Sequence, residues 1–387
     1  MKILTFVEKY LPGYKSGGPV RSIENLVEHL DDEIQFKIIT LDRDKNDNNP
    51  YYKIKVNAWN RVGKAEVFYI SPNKLSLAFL RKVIRSVEFE KIYLNGVFSY
   101  PFNIKPMILR NLGLIPRTPI IIAPRGQLSS GALGIKRFKK QNFLLLARAI
   151  KFYKKLIWHA SNGSEEKEIR KWFGPSNSIV IVPNLSSLKE ESKELNEVEK
   201  NPGNLKIVYI SRISPKKNLT CALHSLKKIE GQIQFNIYGP IDDESYWQEC
   251  RNIMNIMPKN VEVNYIGPLP HEKVFDVLSN HHLFFLPTLG ENFGHAILEA
   301  FIAGCPVLIS DQTPWRNLEE KPAGWDISLS EPERFHQVLD HLVNMNDTNF
   351  KELSKQTKEY GFQNSKNDAS LKIYRNLFYG SVNQDFS

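Results

Sequence analysis

Short apolar runs alternate with helix-length stretches along this chain, and that alternation limits the possible folds more than any other feature. The runs are rich in Ile, Val, Phe and Tyr. They cover residues 2–7, 35–41, 66–70, 91–94, 119–123 and 178–182 in the first half, and residues 205–210, 234–238, 261–266, 282–286 and 307–309 in the second. Strands that alternate with helices predict mostly parallel sheets. The sequence therefore predicts an α/β chain with two such halves in tandem.

A polar, acid-rich segment separates the two halves and is predicted to be a linker. We expect an amino-terminal domain over residues 1–184, a linker over 185–204, a carboxyl-terminal domain over 205–363 and a terminal segment over 364–387. Apolar residues recur at helical spacing over residues 369–378, which predicts a last helix. Ligands favour clefts between domains, so the active site is expected between the halves.

Composition excludes several classes of protein. The chain has 387 residues, 42% of them hydrophobic and 24% charged, which is typical of globular domains and not of disordered or collagen-like chains. Its three cysteines, Cys221, Cys250 and Cys305, form no C-x-x-C pair, so neither a disulfide-stapled secreted domain nor a zinc ribbon is expected. No membrane-spanning run and no export signal are predicted. A cytoplasmic location is therefore expected.

Two glycines follow the first predicted strand. Gly17 and Gly18 precede Pro19 and an apolar pattern with helical spacing, so they lie at a strand-to-helix turn. Backbone N–H groups at such a turn can approach a phosphate. A tight turn without any ligand explains the glycines equally well. The sequence lacks the G-x-G-x-x-G pattern, which weakens a dehydrogenase interpretation.

The first strand of the second half is followed by a basic turn. Arg212 and Lys217 lie in this turn, at the carboxyl edge of the predicted sheet, where ligands of open α/β folds bind. A guanidinium and an ammonium together can neutralise the charge that grows on a departing phosphate, which is the work of a divalent metal in other enzymes. Without the rest of the chain, a solvated basic turn is the favoured interpretation.

Residues 286–306 hold the densest set of candidate ligand-binding groups. A buried strand is followed by a glycine-containing loop and then by a predicted helix that stops at Gly304. Glu291 lies in the loop and Glu299 in the helix, eight residues apart, so both carboxylates could face one cleft if the loop continues the helix direction. Carboxylates accept hydrogen bonds from sugar hydroxyls, and the N–H groups of residues 293–296 can meet a phosphate. Helix-surface solvation of Glu299 is the less favoured interpretation.

These motifs, taken in order, give the chain a resemblance to the family 4 glycosyltransferases, retaining enzymes of the GT-B class. The features that carry it are the turn Ser16-Gly-Gly-Pro19, the Arg-x4-Lys pair Arg212 and Lys217, the Glu-x7-Glu pair Glu291 and Glu299, and the Gly-Cys-Pro-Val sequence that ends at Val307. The resemblance covers nearly the whole length. It implies two Rossmann-like domains that face each other across a cleft, with the last helix crossing back to the first domain.

The resemblance also implies roles for single residues. Arg212 and Lys217 would bind the donor diphosphate and Glu291 would contact the transferred sugar, which makes these three the expected catalytic residues. Glu299 would bind the nucleotide ribose. The expected donor-binding residues are Gly17, Gly18, Asn292, Phe293, Gly294, His295 and Glu299. No cofactor beyond the nucleotide-sugar co-substrate and no metal are expected.

One departure from the family pattern concerns the first domain. Many members carry a histidine before a glycine at the end of a late strand, and this chain has Ala123-Pro-Arg125-Gly126 there. Arg125 or Asn95 is expected to touch the reacting sugar or the acceptor from this side. A plain structural role for Arg125 is equally open. The Pro-Arg-Gly variant resembles a surface-polysaccharide subgroup of the family.

Two short motifs point to metals but receive less weight. Asp42-Arg43-Asp44 is a D-x-D string, which binds manganese in the other large glycosyltransferase fold, but it precedes a loop-like sequence. His281 and His282 are adjacent and not one helical turn apart, so they are poor metal ligands. Metal binding is not expected at either place.

Residues 133–160 contain eight Lys or Arg and no acid. Within residues 136–155 these cations alternate with aromatic and aliphatic residues, a pattern typical of a helix that lies on an anionic membrane surface. A solvated helix whose apolar side is simply core is an equally open interpretation. Nucleic acid is not an expected partner, because no recognised binding motif accompanies the charge.

The expected function is transfer of a sugar from a nucleotide-diphosphate donor to a glycan or lipid-linked acceptor, as in bacterial surface polysaccharide biosynthesis, with the anomeric configuration retained. Two alternatives stay open at this point. One is an epimerase or hydrolase of the sugar nucleotide on the same fold, and the other is a sugar-nucleotide or glycan-binding protein without turnover. The enzyme would act in the cytoplasm, at the inner face of the membrane.

Overall fold

A computed structural model describes residues 1–15, 17–30, 34–44, 47–134, 137–187 and 198–380. The chain divides into two compact units. The first unit consists of Met1–Leu185 together with Asn367–Ser387, and the second unit consists of Ser186–Lys366. Half of the predicted linker, residues 188–197, lies outside the described residues.

In the described part of the first unit, eight strands form one sheet. They are β1 (Lys2–Phe6), β2 (Gln35–Leu41), β3 (Trp59–Val62), β4 (Ala65–Ile70), β5 (Lys91–Asn95), β6 (Ile120–Ala123), β7 (Ile157–Ala160) and β8 (Ser178–Ile181). Their order is β3-β4-β2-β1-β5-β6-β7-β8, and all neighbours pair parallel except β3 with β4. The central strands are buried on both faces, which explains their continuous apolar sequences.

Helices cover both faces of this first sheet. They are α1 (Gly18–Leu30), α2 (Leu77–Arg85), α3 (Lys105–Asn111), α4 (Ser130–Gly134), α5 (Arg137–Ala149) and α6 (Gly163–Phe173). Two separate apolar clusters result: α1 packs with one, and α2, α3 and α6 pack with the other.

In the described part of the second unit, six strands form an all-parallel sheet. They are β9 (Asn204–Ile210), β10 (Gln232–Tyr238), β11 (Val261–Gly267), β12 (Leu283–Leu286), β13 (Val307–Ser310) and β14 (Gly324–Ile327). The order is β11-β10-β9-β12-β13-β14. β10 and β11 therefore lie on one side of β9, and β12, β13 and β14 lie on the other. The topological switch point therefore lies between β9 and β12, where ligands of open α/β sheets bind.

Four α-helices of the second unit lie between its described strands, and two more follow the last strand. They are α7 (Leu219–Leu226), α8 (Glu244–Met254), α9 (Val274–Ser279), α10 (His295–Ile302), α11 (Pro332–Asn344) and α12 (Asp347–Ser365). A single apolar cluster includes residues from all six strands and from helices on both faces.

The last helix, α13 (Asp368–Tyr379), packs within the first unit. Its Tyr374 and Phe378 are buried and stack on each other, with Phe378 edge-on to Phe36 and Tyr93. The Lys91 ammonium donates to the carbonyl of Gly380 at 2.8 Å. An amphipathic helix of about three turns thus completes the core of the first unit.

The structure confirms the predicted α/β class with two parallel sheets. All eleven apolar runs form strands. Three strands were not predicted, β3, β7 and β14.

Candidate functional site

The site is built at the switch point of the second sheet, starting with the loop after β9. Ser211 N–H donates to Tyr238 O at 3.0 Å, and Ile213 N–H donates to Pro240 O at 2.9 Å. The two residues that flank Arg212 are therefore fastened to the loop after β10. Arg212 Nη1 lies 3.0 Å from the Asp242 carboxylate, which sets the direction of the guanidinium.

Arg212 lies in the electric field of Glu291. Burial lowers the pKa of the Arg212 guanidinium, and the charge on Glu291 acts in the opposite direction. A guanidinium remains protonated at neutral pH even when its pKa falls somewhat. Arg212 is therefore a fixed cation beside the Glu291 loop.

The loops after β9 and β12 are hydrogen-bonded to each other. The carbonyl of Lys216 accepts from Leu289 N–H at 2.8 Å and from the Thr288 hydroxyl at 3.1 Å. The Asn218 amide donates to Pro287 O at 2.9 Å, and Asn218 has left-handed backbone angles, with φ of 55°. These bonds hold Lys217 against the second loop.

The structure brings Lys217 and Glu291 together. The Lys217 ammonium donates to the Glu291 carboxylate, and the two side chains are only 13% and 12% exposed. A largely buried ion pair is more stable than one on the surface, because less water screens the attraction between its charges. The pair provides one cation and one anion at the point where the two loops diverge.

The remaining donor-binding candidates lie in the short loop that leads into α10. Glu291 N–H donates to Gln312 O at 2.9 Å, and the Trp315 indole N–H donates to Phe293 O at 2.6 Å. The Phe293 ring lies 4.8 Å from the His295 ring, centroid to centroid. Asn292 and Gly294 complete this loop, and the carbonyl of Gly294 accepts the first bonds of α10. His295 is thus the first residue of the helix, at its positive end.

Glu299 lies within α10 and is buried. His271 Nε2 lies 3.3 Å from its Oε1. His271 belongs to the turn His271–Lys273, which follows β11. Because α10 begins only at His295, Glu291 lies before the helix, and the two carboxylates do not share one helix face. Each has a different basic partner, Lys217 for Glu291 and His271 for Glu299.

In the first unit, Asn95 and Arg125 are in direct contact at the carboxyl ends of β5 and β6. Arg125 Nε donates to Asn95 Oδ1 at 3.0 Å, and Nη2 donates to the Tyr93 hydroxyl at 2.7 Å. Nη1 donates to Asn184 Oδ1. All three guanidinium nitrogens thus donate hydrogen bonds to residues of the first unit. These bonds favour the structural interpretation of Arg125, as a positioning residue for Asn95 and Asn184.

The Arg125 bonds continue into a buried histidine. The Tyr93 hydroxyl donates to His159 Nδ1 at 2.7 Å, and His159 Nε2 donates to Val182 O at 3.0 Å. Burial, together with the charge of Arg125, lowers the pKa of His159 to about 3. The imidazole is therefore neutral, with its proton on Nε2.

Gly17 and Gly18 lie at the start of α1. Gly17 has φ of +62°, and a Cβ added there would meet no atom within 4 Å. Its left-handed backbone, and not a steric clash with a side chain, therefore favours glycine. Its carbonyl accepts from Val20 and Arg21 N–H groups at 3.1 and 3.3 Å. Pro19 has no N–H, so this helix end offers few donors to a phosphate. Ser16 lies outside the described residues.

The aspartates of the D-x-D string have partners within the protein. The Asp42 carboxylate accepts from Arg43 Nε at 2.8 Å. Asp44 accepts from the N–H groups of Tyr14 and Lys15 at 2.8 and 2.9 Å and so shapes the loop before Gly17. Across the described ranges, no group of three or more His, Cys, Asp and Glu side chains is arranged to hold a metal ion.

His281 and His282 have structural partners. His281 Nδ1 lies 2.6 Å from Val277 O, and His282 Nδ1 accepts from Lys206 N–H at 2.9 Å. Burial lowers the pKa of His282 to about 4. Both rings bond to the backbone of their own unit.

Sequence reasoning missed the partners that orient the candidate residues: Asp242, His271, Tyr93, His159 and Asn184. Their signal is weak, because each is a single polar residue in or just after a short apolar run. Asp242 follows the last residue of β10 by four positions, and that location at the carboxyl edge was the available clue.

Several solved structures share the fold of this chain. Sucrose-phosphate synthase from Thermosynechococcus elongatus is 16% identical and has a TM-score of 0.72, with 98% of this chain and 100% of that chain covered. HepE from Anabaena, in complex with UDP-glucose, is 15% identical, with a TM-score of 0.69 and coverage of 98% and 100%. WaaG, a glycosyltransferase involved in lipopolysaccharide biosynthesis, is 11% identical, with a TM-score of 0.65 and coverage of 98% and 100%. No curated protein sequence matches the chain.

The two α/β units and these structural relatives define a protein of the GT-B fold. Residues 190–364 match the family model described as Glycosyl transferases group 1. This segment is therefore a group 1 glycosyltransferase domain, and the chain is a glycosyltransferase. The expected fold and the expected enzyme class are confirmed. The roles of single residues stay predictions.

Proposed function

We propose that this enzyme transfers a sugar from a nucleoside-diphosphate sugar to a hydroxyl of a glycan or lipid-linked acceptor, with retention of configuration and without a metal ion. The observation that carries the proposal is the largely buried ion pair of Lys217 and Glu291 beside Arg212, at the switch point of the second sheet. Two cations on one fixed loop match the two negative charges of a diphosphate.

The chemistry follows from these charges. When the bond between the anomeric carbon and the diphosphate oxygen breaks, its electron pair stays on the phosphate, and negative charge grows there. Arg212 and Lys217 stabilise that charge, and the amino end of α10 adds a positive dipole end. The acceptor oxygen forms its bond to the same face of the anomeric carbon, and its proton passes to the departing phosphate oxygen. In this proposal Arg212, Lys217 and the amino end of α10 take the place that a divalent metal has in other enzymes.

Glu291 has a second role in this proposal. In the resting protein its carboxylate holds the Lys217 ammonium in place. A bound diphosphate attracts the same ammonium, which frees carboxylate oxygens to accept hydrogen bonds from the hydroxyls of the donor sugar. Glu299, already oriented by His271, is left to accept from the ribose hydroxyls.

The substrate classes are suggested by the relatives. HepE was solved with UDP-glucose, and an Escherichia coli relative was solved with UDP-2-fluoro glucose. WaaG is involved in lipopolysaccharide biosynthesis. We therefore propose a nucleotide-sugar donor and a bacterial surface polysaccharide as the product. We also propose that the enzyme acts in the cytoplasm, in keeping with its free cysteines.

The test is a donor screen followed by transfer assays. Purified protein is screened with nucleoside-diphosphate sugars by thermal shift, and the stabilising donor is then incubated with an acceptor panel, with EDTA present. We expect transfer that EDTA does not reduce. Lys217→Ala should lower turnover by about 10² to 10³-fold, the effect of losing one preorganised electrostatic contact. Lys206→Ala changes an exposed lysine in β9 and serves as the control.

Three results would contradict the proposal. Release or epimerisation of the sugar without an acceptor would indicate a hydrolase or an epimerase. Donor binding without transfer across the whole panel would indicate a binding protein. Activity that EDTA abolishes and manganese restores would show that the two cations do not replace a metal.

A further inference from the structure

Helix α5 carries apolar residues on its solvent side. Phe138, Leu145, Leu146 and Ile150, the last just after the helix, are 82%, 58%, 60% and 62% exposed. Phe138 and Leu145 are seven residues apart and so project from the same side of the helix. We call these four residues the α5 apolar surface.

The core does not account for these side chains. Leu144 and Ala147 fill the inner face of α5, and Phe143 packs edge-on against Phe98 at a centroid distance of 5.9 Å. The apolar residues of the segment are thus divided between an inner and an outer face. Of the two sequence interpretations, the one in which the apolar side is simply core explains only the inner face.

Cations surround the α5 apolar surface. The exposed ones are Arg137, Lys139, Arg148, Lys151, Lys154 and Lys155. Residues 91–164 contain thirteen Lys or Arg and no Asp or Glu, and the rest of the chain has a net charge of −3. The positive charge of the whole protein is therefore concentrated in this part of the first unit. Lys136 of the predicted basic segment lies outside the described residues.

This combination restricts the partner. A second copy of the chain would oppose one group of cations with another, which disfavours association. An anionic phospholipid leaflet supplies negative headgroups for the cations and acyl chains for the apolar residues. Within the described residues no helix is long and apolar enough to cross a membrane. Attachment through α5 would accordingly be peripheral.

We propose that the α5 apolar surface and its surrounding cations dock the enzyme on an anionic phospholipid bilayer, with Phe138, Leu145, Leu146 and Ile150 inserted at the headgroup level. The docking surface rests on the exposure and charge of described residues between 137 and 155. Only its purpose, access to a lipid-linked acceptor, rests on the proposed function.

The test is flotation of the full-length protein with vesicles, without any substrate. Vesicles of phosphatidylcholine alone are compared with vesicles that contain phosphatidylglycerol, at low and at raised salt. We expect binding only to the anionic vesicles, weakened by salt because the attraction is screened. The triple variant Phe138→Ser, Leu145→Ser, Leu146→Ser should bind at least about tenfold more weakly, since apolar insertion supplies part of the affinity.

A second variant and a control keep the test specific. Replacing Arg148, Lys151 and Lys154 by Gln should also lower binding at least about tenfold, because each cation near an anionic surface contributes. Tyr52→Ser and Ile256→Ser remove exposed apolar side chains elsewhere and should leave binding unchanged. Transfer to a water-soluble acceptor should be equal in all variants, so a failed activity assay is distinct from failed docking.

The proposal is overturned if the wild type does not float with anionic vesicles at low salt. It is also overturned if the triple serine variant floats as well as the wild type, because the attraction would then be purely electrostatic. Concentration-dependent dimerisation that the serine variant abolishes would assign the surface to a second copy instead.

Discussion

The close approach of β10 to the loop after β9 gives a sharp test of how Arg212 is positioned. A Cβ built on Gly239 would lie 1.9 Å from Ser211 O and 3.3 Å from Arg212 N. To reach an ordinary contact of 3.4 Å, the two backbones must separate by about 1.5 Å. Gly239→Ala therefore moves the segment that carries Arg212.

A neighbouring glycine provides the matched control. Gly239 directly follows β10, and Gly267 is the last residue of the neighbouring strand β11. Their φ angles are +140° and +104°, but a Cβ on Gly267 would meet no atom within 4 Å. Alanine at either position pays the positive-φ cost of about 1–2 kcal/mol. Only Gly239→Ala adds the overpacking cost of about 1–3 kcal/mol, for a total of about 2–5 kcal/mol.

The two variants should separate clearly in activity. A displacement of about 1 Å at a reacting group costs on the order of 10²-fold in rate, so Gly239→Ala should lose about that much turnover. Gly267→Ala should stay within a few-fold of the wild type. Urea unfolding gives the stabilities and initial rates of sugar transfer give the turnover. Equal unfolding midpoints and equal rates in the two variants would refute the argument that contact with Gly239 positions Arg212.

Three further predictions concern charged or titrating groups. Asp242→Ala should lower kcat at least about tenfold, because the Asp242 carboxylate directs the Arg212 guanidinium. It should also lower the free energy of unfolding by up to about 1.5–3 kcal/mol, the worth of a charge-assisted bond, and Asp242→Asn should recover most of the rate. His159 stays neutral in the folded protein down to about pH 3, whereas in the unfolded chain the imidazole takes up a proton near pH 6.5. The free energy of unfolding should therefore decrease as the pH falls below 6.5, by up to about 1.4 kcal/mol per pH unit from this group. In His159→Gln the free energy of unfolding, measured with urea, should change less with pH between pH 6.5 and 4.5 than in the wild type. An unchanged pH dependence would contradict a neutral, buried His159. The buried Lys200 ammonium donates to three carbonyls around the end of α11, so Lys200→Met should cost about 2–4 kcal/mol by urea unfolding, while the exposed Lys206→Met stays within about 0.5 kcal/mol.

The sequence predicted the core strands well because those strands are buried on both faces. β5 and β6 are continuous apolar runs and were found within one residue of their bounds. The missed strand β3 is an edge strand whose residues are half-buried or exposed, so it lacks that pattern. β14 begins with a glycine and contains Asp326, both of which are uncommon in strands.

Sequence motifs found the candidate residues of the second unit but not their partners. The pairing of Lys217 with Glu291 follows from β9 and β12 being neighbours, and a strand order cannot be read from a list of strands. Asn218 has left-handed backbone angles and turns the loop after β9 toward the loop after β12. Nothing in the sequence distinguishes it from other asparagines in loops. The sequence placed Glu291 in the loop and Glu299 in the helix, and the structure adds that α10 begins only at His295, so Glu291 and Glu299 do not share one helix face.

Helix α13 gives the first unit an unusual dependence on the order of synthesis. The unit needs Tyr374 and Phe378 to cover Tyr93 and Phe36, although the whole second unit is translated between them. The ribosome must therefore synthesise residues 186–366 before α13 can close the interior of the first unit. Until α13 is made, the first sheet keeps part of its apolar surface exposed, and nascent chains in that state are prone to aggregate.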